Sequence, residues 1–172
     1  QEVVERTDRG EFSAHYQTGH PHAFLDVMYR GELASCQLLY AADPEFSALK
    51  SRAENYPIPL QRALTQFFLF EAEFSCALAE KNLPNGDLYY FTGHLFRAAS
   101  ALNQALFARN AQWCLNEKKA IFRIDGFPMH PQSYAARMNH IFTLLGTSPQ
   151  QALATLQTLR QETIALCHLP NA

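Results

Sequence analysis

The chain has 172 residues, 48% of them hydrophobic and 17% charged, with a formal net charge of −2 and an isoelectric point near 6.4. That is enough apolar material for one folded domain with a true core, and it excludes a disordered chain. Weak acidity and scattered Lys and Arg exclude a nucleic-acid partner held by phosphate neutralisation, though not a single nucleotide.

Cys36, Cys76, Cys114 and Cys167 stand far apart with no CxxC pair, which fits reduced thiols and neither a disulfide framework nor a zinc ribbon. No run approaches the roughly 18 apolar residues a membrane span needs, and "QEVVERTDRGEF" lacks the apolar centre of a signal peptide. A cytoplasmic protein with no membrane partner is expected. The first residue is not Met, so the chain is expected to be a piece of something longer.

From Gln1 to about Asn55 short apolar runs are broken by "GHPH", "RGE" and "AADPE". This predicts a small mixed segment with a short helix and a strand at "QLLYA", Gln37 to Ala41. The prolines of "NYPIPL" stop one helix and start the next, which sets a boundary between segments 1–55 and 56–172. Helices follow over about 59–81, 87–110, 115–124, 131–146 and 149–168, with Asp87 and Ser148 as N-caps and Gly146 as a stop. Short connections between amphipathic helices predict a mainly α protein, an antiparallel helix bundle.

In the first long helix, Leu60, Leu64, Phe67, Phe74 and Leu78 are the predicted core stripe, with Glu71 about 40° from Phe67 on that side and Glu73 on the wet side. Glu71 reads either as a structural ion-pair partner or as a desolvated carboxylate facing a cleft, a general base. The next helix carries a stripe of Leu88, Phe91, Leu95, Leu102 and Leu106 and is apolar almost all round, which makes it central. Arg97 in its middle needs an acceptor, and Glu71 is the expected one, as a strut or as the wall of an anion-binding cleft.

His15, His20 and His22 cluster in "HYQTGHPHAF" with Asp26 close behind. The stiff HPH spacing lacks helical i, i+4 geometry, so no metal site is assigned, and His20 and His22 read as loop anchors or ligand contacts. Phosphate-loop, GxSxG and GxGxxG motifs are absent. Arg123 and His130 match an Rx6H spacing, but Gly126 and Pro128 between them break any shared helix face. In "NEKK", Asn116 is expected to cap a helix with Glu117 in its first turn, whereas Lys118 and Lys119 sit where the helix dipole disfavours cations. They read as a solvated corner or as a contact for an anion such as a nucleotide phosphate.

The ordered segments "TGHPHAF", "YRGELA", "YPIPLQRAL", "FEAEFSCALAEK", "FRAASALNQALFARN", "NEKKA" and "FPMHP" resemble the C-terminal half of a family of uncharacterised bacterial nucleotidyltransferase-like proteins. Its helical domain is similar to the acceptor-binding bundle of kanamycin nucleotidyltransferase and its lincosamide-modifying relatives. The Gly-Ser and Asp-x-Asp motifs of the catalytic core are not in these residues. The resemblance therefore implies the helical half plus the trailing edge of a core, with Arg97, Asn110, Glu117 and Lys118 at recurring positions.

On this reading the chain is an acceptor-binding helical domain, a substrate-binding part of a transferase that moves a nucleoside monophosphate onto a small-molecule acceptor. The full-length enzyme would use Mg2+ and a nucleoside triphosphate, with its core in cis or trans, and this chain alone would be inactive and need no cofactor. Glu71 and Glu117 are the candidate bases. His20, His22, Arg97, Asn110, Lys118 and Lys119 are the candidate substrate contacts. A non-catalytic bundle that self-associates as a homodimer, or binds a separate catalytic subunit, is the competing expectation, favoured by any apolar patch left around Phe67 to Phe70.

Overall fold

Pro57 and Pro59 separate two layers of a mainly α structure. The structure is a computed structural model that describes residues 1–15 and 24–167. Before the prolines come α1 (Glu2–Asp8), a two-residue antiparallel pair β1 (Ala14–His15) and β2 (Phe24–Leu25), α2 (Val27–Ser35) and α3 (Pro44–Glu54). After them come α4 (Ile58–Asn82), α5 (Leu88–Arg109), α6 (Ala120–Ile124), α7 (Tyr134–Thr143) and α8 (Pro149–Cys167). The expected helix bundle is present.

The bundle is built on the α4–α5 hairpin, with α8 against both helices, α7 against α8, and α6 bridging α5 and α7. The hairpin turn is well specified. Gly86 adopts φ +72°, a left-handed conformation that glycine takes without Cβ strain, and the Asp87 carboxylate then accepts the Tyr90 N–H at 3.0 Å as the N-cap. Small residues let α4 and α5 approach closely: Ala72 and Ala79 on one side, Ala98, Ala101 and Ala105 on the other, all buried.

The core stripe of α4 differs from the one expected. Leu60, Leu64, Phe68, Ala72, Cys76 and Ala79 are buried, Phe67 and Leu78 are half-buried, and Phe74 is exposed. On α5 the stripe is as expected except that Leu88 stands half in water, and the C-terminal half from Ala98 to Ala108 is buried nearly all round.

Two other elements depart from expectation. Gln37–Ala41, expected as a strand, is neither helix nor strand and pairs with no strand among the described residues. The helix expected over 115–124 starts only at Ala120, because Asn116 Oδ1 accepts the Lys118 N–H at 3.0 Å and closes a turn, and Lys119 then sits at the N-cap position with φ +59°. Glu117 therefore precedes the helix and is not in its first turn.

The N-terminal layer is held by a residue that sequence reasoning passed over. Arg30, 1% exposed, donates from Nη1 to Val4 O, Thr7 Oγ1 and Asp8 Oδ1 at 3.1, 2.8 and 2.7 Å. Its Nη2 donates to Arg52 O and Asn55 O at 2.8 and 2.9 Å, and its guanidinium lies 5.8 Å from the Trp113 ring centre. One side chain thus ties α1, α2, α3 and the loop after α5 together. Leu25, Val27 and Met28 join the core shared with α4 and α5.

Candidate functional site

The α4–α5 hairpin carries exposed aromatic side chains, Phe70, Phe74, Tyr90 and Phe96. Glu71 and Arg97 meet across it, Oε2 of the carboxylate accepting from both Nε and Nη2 of the guanidinium. The Glu71 side chain is 19% exposed and that of Arg97 42%, so the expected pair forms at the rim of the core and not inside it. Oε1 of Glu71 and Nη1 of Arg97 have no hydrogen-bond partner among the described residues.

The surroundings are aromatic. Phe70 and Phe74 stack at 6.2 Å and 14° along α4, and Phe70 is 63% exposed. One turn from Arg97 on α5, His94 meets the Tyr90 ring edge-on at 4.3 Å. Burial, reinforced by the Arg97 charge, lowers the His94 pKa, which keeps the ring neutral at pH 7. Its Nδ1 is buried with no hydrogen-bond partner. Gly93 leaves open space beside it, with nothing within 4 Å of where a Cβ would stand. His94 was not singled out in the sequence, where it reads as an ordinary amphipathic helix position; Phe74 was expected in the core stripe, and Phe70 in an apolar patch around Phe67 to Phe70.

The remaining candidates lie elsewhere. Cys114 hydrogen-bonds Gln104, and Arg123 lies 4.8 Å over the Phe107 ring, so the segment carrying Glu117, Lys118 and Lys119 packs at the Gln104–Phe107 level of α5. At 1.5 Å per residue that is about 10–15 Å along the axis from Arg97. The single cleft expected for Arg97, Glu71 and Lys118 is thus resolved into two places. Burial, then the Glu117 carboxylate, pushes the Cys114 thiol up to about 12, so it stays protonated and is no nucleophile at neutral pH. Lys118 and Lys119 are exposed and form no ion pair among the described residues.

Asn110 is fully used in holding backbone. Its Nδ2 donates to Leu106 O and Met129 O at 2.7 and 2.8 Å, and its Oδ1 accepts the Met129 N–H at 3.0 Å. Asp26 likewise accepts the Ser13 N–H at 2.9 Å and pairs with Arg6 at 3.0 Å. His20 and His22 lie outside the described residues. Among the described residues no three His, Cys, Asp or Glu side chains are grouped to hold a metal, and no helix is long and apolar enough to cross a membrane.

No family model matches the chain, and no curated protein or solved structure is similar to it.

Proposed function

We propose that the chain is the acceptor-binding helical domain of a nucleotidyltransferase-like protein, and that the Glu71–Arg97 face receives the small-molecule acceptor. The observation that carries this reading is an ion pair whose Glu71 Oε1 and Arg97 Nη1 amino group are unengaged among the described residues, on a helix pair that carries exposed aromatic rings. Glu71 Oε1 would take the acceptor hydroxyl or amine proton, and Arg97 Nη1 would hold an oxygen of the acceptor or of the transferred phosphoryl group. Phe70, Phe74 and Tyr90 would supply apolar contact and displace water. Mg2+ and the nucleoside triphosphate would be held by the core, in cis or trans, with Lys118 and Lys119 as a separate phosphate contact and Glu117 as the second candidate base. The working compartment on this reading is the cytoplasm.

Binding is testable on the chain itself. A panel of small amino alcohols and polyols, titrated calorimetrically, should yield ligands whose affinity falls at least about tenfold in Glu71→Gln and in Arg97→Gln, a loss of about 1.4 kcal/mol. The melts of both variants should stay close to the parent's. No ligand from the panel, or ligands indifferent to both changes, would sink the acceptor site. Nucleotide transfer by the chain alone would overturn the domain reading. The alternative, a bundle made for self-association or for a catalytic subunit, is favoured by the exposure of Phe70, Phe74 and Phe96. Light scattering across a concentration series separates it, because a self-associating bundle changes mass and an acceptor-binding monomer does not.

A further inference from the structure

The α4–α5 hairpin turns through a single 3-10 turn, Leu83–Asn85, followed by Gly86 at φ +72°. This is the one Asn-Gly pair in the sequence. An asparagine ahead of glycine has an intrinsic reaction, attack of the next residue's backbone nitrogen on the side-chain amide carbon. Glycine permits it most readily, because no Cβ restricts the rotation that brings the nitrogen round. Regular helix suppresses it, since a hydrogen-bonded N–H and fixed dihedrals hold that nitrogen away from the side chain.

Little holds this turn shut. The Gly86 N–H reaches Leu83 O at 3.4 Å, the long limit of a hydrogen bond, and none of Leu83, Pro84 and Asn85 is buried. Asn85 Nδ2 donates to Asn82 Oδ1 at 3.1 Å, an exposed bond of the kind that adds little net stability. A Cβ at Gly86 would have nothing within 4 Å, so the space beside the glycine is open. The Asp125–Gly126 pair, capable of the same cyclisation, is held more firmly. Asp125 Oδ1 accepts the Ala135 N–H at 3.2 Å, and the Gly126 N–H donates to Arg123 O at 3.0 Å. Asn103 and Asn139 lie inside α5 and α7, and Asn110 is bonded through both side-chain atoms.

We propose that Asn85 is a site of spontaneous deamidation in the folded protein. When the 3-10 turn opens, the Gly86 nitrogen gives its proton to hydroxide and bonds to Asn85 Cγ. The Cγ–Nδ2 bond breaks, ammonia leaves with a proton taken from water, and a cyclic imide remains. Water then opens the imide. At Cγ it restores the original chain with an aspartate, whereas at the backbone carbonyl it breaks the old peptide bond and leaves the chain running through Cγ, an isoaspartate. One water is consumed and one ammonia released, with no oxidation or reduction. Either product sets a carboxylate against Asn82 Oδ1, where an amide had donated. The isoaspartate also inserts a backbone carbon two residues before the Asp87 cap and loosens the hairpin. None of this depends on the acceptor reading of Glu71 and Arg97.

The test incubates the full chain at mildly alkaline pH, with and without urea. Its peptides are then sequenced by mass spectrometry with a fragmentation that separates aspartate from isoaspartate. Asn85 should exchange NH2 for OH before any other asparagine, with isoaspartate the larger product, and its native rate should lie within about tenfold of its rate in urea, because opening this turn costs little. Gly86→Ala should slow the reaction by about tenfold or more, in urea as well as in buffer, so that strain in the folded turn is not what is read. Asp125 should form isoaspartate more slowly in the native chain than in urea. The isoaspartyl chain, isolated by chromatography, should melt below the parent. Stronger native protection of Asn85, another asparagine reacting first, aspartate formed without isoaspartate, or indifference to Gly86→Ala would each overturn the proposal, and a melt equal to the parent's would overturn the loosening of the hairpin.

Discussion

Two arginines show how burial sets the worth of one residue type. Arg30 is enclosed and its hydrogen bonds go to backbone carbonyls and to Thr7 and Asp8, so truncating it strands several buried acceptors at once. Arg30→Ala should cost about 3–5 kcal/mol in a urea unfolding curve. Arg30→Lys should recover little of that loss, since an ammonium cannot reach both helix ends. Arg97 is half in water, and Arg97→Ala should cost only about 1 kcal/mol, decreasing further with added salt. Asp8 links the first case to pH. Burial alone would raise its carboxyl pKa, but hydrogen bonds from Arg30 and then Arg52 outweigh it and hold the group below its ordinary value. A carboxyl depressed in the folded state contributes stability above its unfolded pKa of about 4, and that contribution disappears as pH falls through the folded value. Thermal melts of Asp8→Asn between pH 6 and pH 2 should accordingly lose less on acidification than the parent does.

At the scale of elements, contacts between helices overrode periodicity where small residues were involved. The expected α4 stripe followed the largest side chains, but α4 is flanked by both α5 and α8, and its buried stripe runs through Phe68 and Ala72. Phe74 falls outside it and became part of the candidate site. Gly31 has a similar origin. Inside α2 a glycine costs about 1 kcal/mol relative to Ala, yet a Cβ there would lie 2.6 Å from Leu115 Cδ2 and 3.1 Å from Trp113 Cβ. Gly31→Ala should therefore destabilise by about 1–3 kcal/mol despite its better helix propensity, a reversal that chemical denaturation would reveal. The Asp87 cap behaves more simply, and Asp87→Ala should cost about 1 kcal/mol by the same measurement.

At the scale of the molecule the two layers share one core, because Leu25, Val27 and Met28 pack with residues of α4 and α5. A chain beginning at Tyr56 would expose Leu60 and Leu64, and it should give a collapsed far-ultraviolet spectrum or aggregate on a sizing column, whereas the full chain should show a helix-dominated spectrum. The sequence by itself determined the helical class, the proline junction, the Asp87 cap and the partnership of Glu71 with Arg97, all of which follow from local propensity and from the need of a charge in an apolar helix for a counter-charge. The strand expected at Gln37–Ala41 is not formed among the described residues. Only the tertiary structure decided the rest. It placed Arg30 at the junction of three helices, put Asn110 on the Met129 loop, and set Glu117 to Lys119 two to three turns away from Arg97. It also brought His94, Phe70 and Phe74 to the rim around the ion pair. Each of these depends on which residues distant in the chain come into contact, and helical periodicity fixes the faces of a helix but not which neighbour covers them.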